Sequence, residues 1–300
     1  IINVCKEKGY TSHDVVAKLR GIVKQKKIGH TGTLDPDAEG VLPVCLGNAT
    51  KVCDLLTGQD KTYEAVLLLG QTTDTQDTTG TVLTSSEVNA GRLEVEEAIN
   101  SFIGEYNQIP PMYSAIKING KRLYELARAG KEVERAARKV WIHNIQILHM
   151  DLEHHEVRIL VDCSKGTYIR TLCYDIGEKL NCGGCMKSLI RTKVGQFTLD
   201  NSIKLSEIED LMKQDQINKV LIKVDDMFPD YRKVIVAKES SKYIYNGNSF
   251  VSSDIAEPSQ SITDDIGFVP IRVYDWECNF VGIYQFDGAE DRFKPVKMFL

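Results

Sequence analysis

The segment from Lys27 to Lys51, KIGHTGTLDPDAEGVLPVCLGNATK, constrains this chain more than any other. It gathers Gly29, Gly32 and Gly40, Pro36, His30 and three acidic residues, Asp35, Asp37 and Glu39, into one loop. The apolar run from Val41 to Leu46 follows at once, and such a run bounded by turn residues reads as a buried strand. Glycine admits backbone conformations that other residues resist, and Pro36 biases Asp35 away from the helical region. Asp35 is therefore expected on a shaped loop at a strand mouth, where function-carrying residues often sit. On composition alone the same segment is an acidic surface loop. No Gly-Lys-Ser/Thr closes it, so a phosphate-cradling reading fails.

The bulk composition, 42% hydrophobic and 26% charged over 300 residues, describes a globular protein of one large or two ordinary domains. No apolar run reaches the length of a membrane span, and no basic-then-apolar leader opens the chain, which starts at Ile1. The expectation is a cytoplasmic enzyme without a membrane partner. Eight scattered cysteines read as free thiols; Cys182-Gly-Gly-Cys185 has ligand spacing but lacks a second Cys or His pair nearby, so no metal is expected. His154-His155 lies in a polar turn and reads as solvated.

The net charge of −5 argues against a nucleic-acid partner only if taken whole. From Asp225 onward there are 13 acidic and 8 basic residues, so the preceding part is neutral. Within that part, Lys117 to Lys139 holds 8 basic residues against 3 acidic ones, a local surface able to grip phosphates.

In order along the chain, the expected elements are a strand over Ile1–Cys5 and a helix opened by Thr11-Ser12-His13-Asp14. Helical residues over Ala49–Leu56, a strand over Glu64–Leu69 and a helix over Glu94–Ile103 follow. A basic helix over Lys121–Ala129 precedes paired strands over Val140–Leu148 and Glu156–Val161. A helix running to Leu180, a strand beginning at Leu189 and a helix over Leu205–Met212 complete the first part. Asp225-Asp226, near Phe228-Pro229, marks the expected boundary. Beyond it, short β patterns recur at Val234–Ala237, Phe268–Tyr274, Phe280–Phe286 and Val296–Phe299.

The ordered residues Gly29-His30-Thr31-Gly32-Thr33-Leu34-Asp35-Pro36, then Gly40-Val41-Leu42-Pro43 and Gly47-Asn48-Ala49-Thr50-Lys51, closely resemble motif II of the TruB-type tRNA pseudouridine synthases. Lys61-Thr-Tyr63, the loop Gly70 to Gly80, Gln108-Ile-Pro110-Pro111-Met-Tyr113-Ser114-Ala115-Ile-Lys117 and Cys163-Ser-Lys165-Gly166-Thr-Tyr168-Ile-Arg170 are similar to that family too. One departure is Lys6-Glu7-Lys8-Gly9, with Glu7 where the family usually carries proline.

The resemblance implies an α+β pseudouridine synthase fold with a mixed, largely antiparallel central sheet and a small β-rich, PUA-like C-terminal domain. It divides the chain into a catalytic domain, 1–224, with an RNA-contacting arm at about 108–140, and the small domain, 225–300. It implies isomerisation of uridine 55 in the T-arm of tRNA by a monomer, without cofactor or metal. Asp35 takes the catalytic role, at C1′ directly or through a glycal route. Tyr63 stacks on the target base, His30 helps hold the flipped-out base, and Tyr168 and Leu189 form the wall. Arg170 and Lys61 support the site, and Lys117, Lys121 and Arg122 contact RNA. Asp74 and Asp77 read as turn-shaping residues rather than a catalytic pair. Two other readings stand beside this one: a non-catalytic tRNA-binding or folding protein of the same fold, and a glycosidase-like hydrolase using Asp35 and Asp37.

Overall fold

Alternate burial of side chains marks the central strand of the main sheet. The strand Lys61–Leu69 buries every second side chain from Lys61 to Leu69, as a strand covered on one face must. The computed structural model describes residues 1–118, 120–257 and 269–300. In it, this strand lies at the centre of a nine-stranded sheet. The order from one edge is Ile2–Lys6, Glu39–Leu46, Gly184–Val194, Lys61–Leu69, Glu156–Cys163, Arg138–Asp151 and Gly104–Gln108. Glu39–Leu46 and Gly184–Val194 pair in parallel, through Ile190 opposite Glu39 and Arg191 opposite Gly40. The other neighbours along this order are antiparallel.

One face of the sheet carries the helices Arg92–Asn100 and Ile169–Lys179 over a core that includes Ala65, Leu67, Val157, Ile159, Leu172 and Ile176. The second helix approaches its strand closely: a Cβ on Gly177 would lie 2.1 Å from the Gly184 nitrogen. Glycine there lets the helix settle on the sheet and aims its N-terminus at the loop holding Asp35. The helix Ser12–Val23 starts with a capping box, Thr11 and Asp14 each accepting the other's backbone N–H. It packs with Leu205–Lys213 around Val4, Val15, Leu19, Leu42 and Ile208.

A second, five-stranded sheet follows in the order Ile255–Glu257, Arg232–Val236, Ile271–Tyr274, Phe280–Asp287 and Arg292–Met298. Its Ile283, Phe280 and Phe299, with Met227 and Phe228, share a core with Ile1, Val41, Val52, Leu56 and Phe197 of the first part. The architecture is α+β, with a mixed, largely antiparallel central sheet and a β-rich C-terminal unit.

Several boundaries differ from those expected. The strand expected to begin at Leu189 runs from Gly184, because Gly184, Cys185 and Met186 already pair with Leu69, Leu68 and Leu67. The Gly183-Gly184 pair masked this start. In the basic arm, Lys121–Arg122 pairs with Lys117–Ile118 as a small hairpin, so the helix covers only Leu123–Arg128. Gly47–Val52 is a 3-10 turn, and the α-helix is Cys53–Thr57. The helix expected over Glu94–Ile103 is shifted to Arg92–Asn100. Of the pattern Phe268–Tyr274, Ile271–Tyr274 is a strand, and Phe268 lies outside the described residues.

Candidate active site

Residues far apart in sequence converge on the loop between Gly32 and Val41. Arg170, in the first turn of the helix Ile169–Lys179, reaches Asp35 with two nitrogens. Its Nε lies 2.9 Å from one carboxylate oxygen and its Nη2 donates to the other at 3.3 Å. Two further bonds hold it: Nη1 donates to the Thr75 carbonyl and Nη2 to the Tyr113 carbonyl, each at 2.9 Å. A planar guanidinium meets such a set of acceptors in one geometry, which a lysine cannot reproduce. The Arg170 side chain is 5% exposed and that of Asp35 41%. A buried cation held by backbone carbonyls thus holds a carboxylate that is open to a ligand.

The cleft in front of Asp35 is lined by Ala38, Asp77, Thr78, Met186, Ser188 and Leu189, among others. Asp77 does shape its turn, accepting from the Thr79 N–H at 3.0 Å, but its second oxygen also lies 3.8 Å from Arg170 Nε. Asp74 has the turn-shaping part, accepting from the Thr81 N–H at 2.7 Å.

Tyr63 is buried on the central strand, directly opposite Arg191 on the neighbouring one. Burial raises its pKa, and Arg191 opposes the rise. Tyr168 stands at the N-terminal cap position of the helix that carries Arg170, and burial raises its pKa. Gln108 clamps the Tyr168 backbone on both sides, accepting its N–H at 2.8 Å and donating to its carbonyl at 2.9 Å. His30 ends a short strand; its Nδ1 accepts the Gly32 N–H at 3.4 Å, and burial lowers its pKa, so the ring is neutral.

Lys61 does not reach Asp35. Its Nζ donates to the Thr57 carbonyl at 2.8 Å and the Gln59 carbonyl at 2.5 Å, tying down the end of a short helix. Lys117, Lys121 and Arg122 are exposed on the arm, well outside this cluster. There Tyr124 is flanked by the guanidinium groups of Arg122 and Arg128, 5.7 and 5.5 Å from its ring centre. Among the described residues no His/Cys/Asp/Glu group has the makings of a metal site; Cys182 and Cys185 are buried free thiols, and His154 pairs with Asp151 at 2.9 Å.

Two buried cations escaped sequence reasoning. Lys6 donates to the Pro36 carbonyl at 3.0 Å and the Ala38 carbonyl at 2.5 Å, and Gly9 N–H bonds the same Pro36 carbonyl at 2.9 Å. The turn with Glu7 in place of proline therefore still anchors the Asp35 loop from below. Arg191 is the second, lying behind the loop at the junction of three strands. Lys6 stood in the sequence as the first residue of the motif that departs from the family, and Arg191 two residues past Leu189, but neither position announced burial.

This fold and site define a protein with one presented carboxylate in a cleft beside a basic arm. The chain matches the N-terminal domain of the TruB family pseudouridylate synthases over residues 20–169 and the tRNA pseudouridylate synthase B C-terminal domain over residues 170–229. It belongs to the TruB family of pseudouridylate synthases. Over the full length it is 59% identical to the tRNA pseudouridine synthase B of Lachnoclostridium phytofermentans, covering 100% of this chain and 99% of that one. With the protein of the same name from Clostridium novyi it shares 51% identity, over 82% of this chain and 83% of the relative. Among solved structures, that of a Cbf5-Nop10-Gar1 complex superposes with a TM-score of 0.71 at 25% identity, covering 100% of this chain and 84% of the other.

Proposed function

We propose that this chain converts uridine 55 in the T-arm of tRNA to pseudouridine, acting in the cytoplasm as a monomer. As a tRNA pseudouridine synthase it is an isomerase. The N1–C1′ bond breaks, the uracil turns in the cleft, C5 joins C1′, and the C5 hydrogen leaves to solvent as N1 gains one. Nothing is oxidised and nothing is hydrolysed. The observation that carries the reading is the Asp35–Arg170 fork, a half-exposed carboxylate fixed by a buried guanidinium at the mouth of the cleft. Such a carboxylate can attack C1′ or remove the C2′ proton, the two forms of the chemistry open to it.

The target base must first leave its stack, which costs a few kcal/mol. Tyr63 offers the face on which the flipped uracil stacks, and Leu189 and Tyr168 close the wall. His30, neutral at the loop entrance, stands where it can support the extruded arrangement. Lys117, Lys121 and Arg122 hold phosphates of the T-arm, and residues 1–224 work as the catalytic domain with the PUA-like 225–300 behind it. Asp35→Asn keeps the shape and removes both the nucleophile and the base. It should release no tritium from tRNA labelled at uridine C5 while binding that tRNA with near wild-type affinity. Turnover above a few per cent of wild type, with deamidation excluded by mass spectrometry, would move the chemistry away from Asp35.

A further inference from the structure

Arg191 is among the largest fully buried side chains of the protein, 1% exposed, and among the described residues no carboxylate lies within ion-pairing distance of it. A buried cation without a counter-charge is costly, so its contacts need a reason. Its strand pairs on one side with the strand that leaves the Asp35 loop and on the other with the strand that carries Tyr63. Arg191 is the residue in register with both Gly40 and Tyr63. Its Nε donates to the Val41 carbonyl at 2.7 Å and its Nη2 to the Gly32 carbonyl at 3.2 Å. Those two carbonyls bracket the segment 33–40, with Asp35 inside it. The backbone there leaves no slack: Gly40 has φ +103°, and a Cβ on it would lie 2.3 Å from the Arg191 carbonyl oxygen. Tyr63, directly opposite Arg191 on the neighbouring strand, lies close enough for the charge of the same guanidinium to oppose the rise in its pKa.

We infer that Arg191 is a positioning residue for the reaction, one guanidinium that clamps both ends of the Asp35 loop and orients Tyr63. It thereby sets the distance between the attacking carboxylate and the stacking ring. Arg170 fixes the direction of the carboxylate from the cleft side; Arg191 fixes the loop from behind. A lysine at this position could keep a charge but lacks the planar fork that reaches both carbonyls. The inference rests on the proposed roles of Asp35 and Tyr63, and its tests separate the two.

Arg191→Lys should fold, bind tRNA at the wild-type Kd and lose about a hundredfold in single-turnover rate, the scale expected for a small misplacement of reacting groups. Tyr63→Phe removes the phenol hydroxyl on which this charge acts. In the double variant the rate should fall by less than the product of the single effects. An Arg191 that only fills the core predicts lower thermal stability with unchanged rate per folded molecule, and strictly multiplicative rates in the double variant. Either result overturns the inference.

Should Arg191→Lys fail to fold, the contact is read without altering Arg191. In 15N-arginine spectra the Arg191 guanidinium signals should be protected from solvent exchange and should move in Tyr63→Phe. Signals that stay in place overturn the clamp. Failure of the underlying reading looks different: the wild-type protein would then release no C5 hydrogen, whatever the Arg191 spectra show.

Discussion

At the scale of single residues, the site is built from cations more deeply buried than the carboxylate they serve. Arg170, Arg191 and Lys6 are all buried, and each is bonded to backbone carbonyls. Carbonyls hold a donor in place without neutralising it, so the positive charge stays directed at the loop. Burial also changes protonation. It lowers the Lys61 pKa from 10.5 to about 8, with Arg191 adding to the effect. Between those values the unfolded chain holds a proton that the folded chain has released, so this group makes stability rise with pH across the window. Lys61→Met removes the contribution. The stability of wild type minus that of the variant should therefore grow from pH 8 to pH 10.5, as read from urea midpoints. A difference that stays flat would show that Lys61 remains protonated in its pocket.

At the scale of elements, the basic arm was legible as composition but not as shape. Its charge count pointed to a helix from Lys121, whereas Lys121 and Arg122 belong to a two-residue strand pairing with Lys117–Ile118. The tight pairing places Lys117 opposite Arg122. Reversing Lys121 and Arg122 to glutamate should weaken tRNA binding and flatten the plot of log Kd against log salt, its slope falling by roughly one for each phosphate the arm no longer holds. A slope equal to that of wild type would make the hairpin a solvated surface. The helix Ile169–Lys179 shows the opposite case. Its apolar spacing marked it in the sequence, but what aims Arg170 is the approach of Gly177 to Gly184, a contact between elements.

At the scale of the whole molecule, the two sheets are joined by a common core rather than a tether. Phe299 stacks on Phe280 with ring centres 5.4 Å apart, and Phe228 lies 6.1 Å from Phe299, against Val41 and Val52 of the first sheet's side. Val41 is also the residue whose carbonyl Arg191 holds, so the back of the Asp35 loop rests on this core. Phe299→Ala should cost about 3–5 kcal/mol of stability. Wild type should unfold in one transition seen alike by tyrosine fluorescence and circular dichroism. Two resolved transitions would mean that the C-terminal sheet unfolds independently of the catalytic part.

Local chemistry determined much of this protein from the sequence alone. The apolar run over 65–69, the cap at Thr11, the glycine-and-proline loop presenting Asp35 and the family-like segment that holds Tyr168 are all short-range patterns. Periodicity and turn propensity act over a few residues, so one sequence displays them directly. Tertiary structure decided what meets Asp35. Arg170 is 135 residues away from it, Arg191 lies 159 from Gly32, and Lys61 ties down a helix end. A lysine or arginine has the same local signature on a solvated face as in a buried socket. Only the packing of distant strands, which removes water and supplies carbonyls, distinguishes the two.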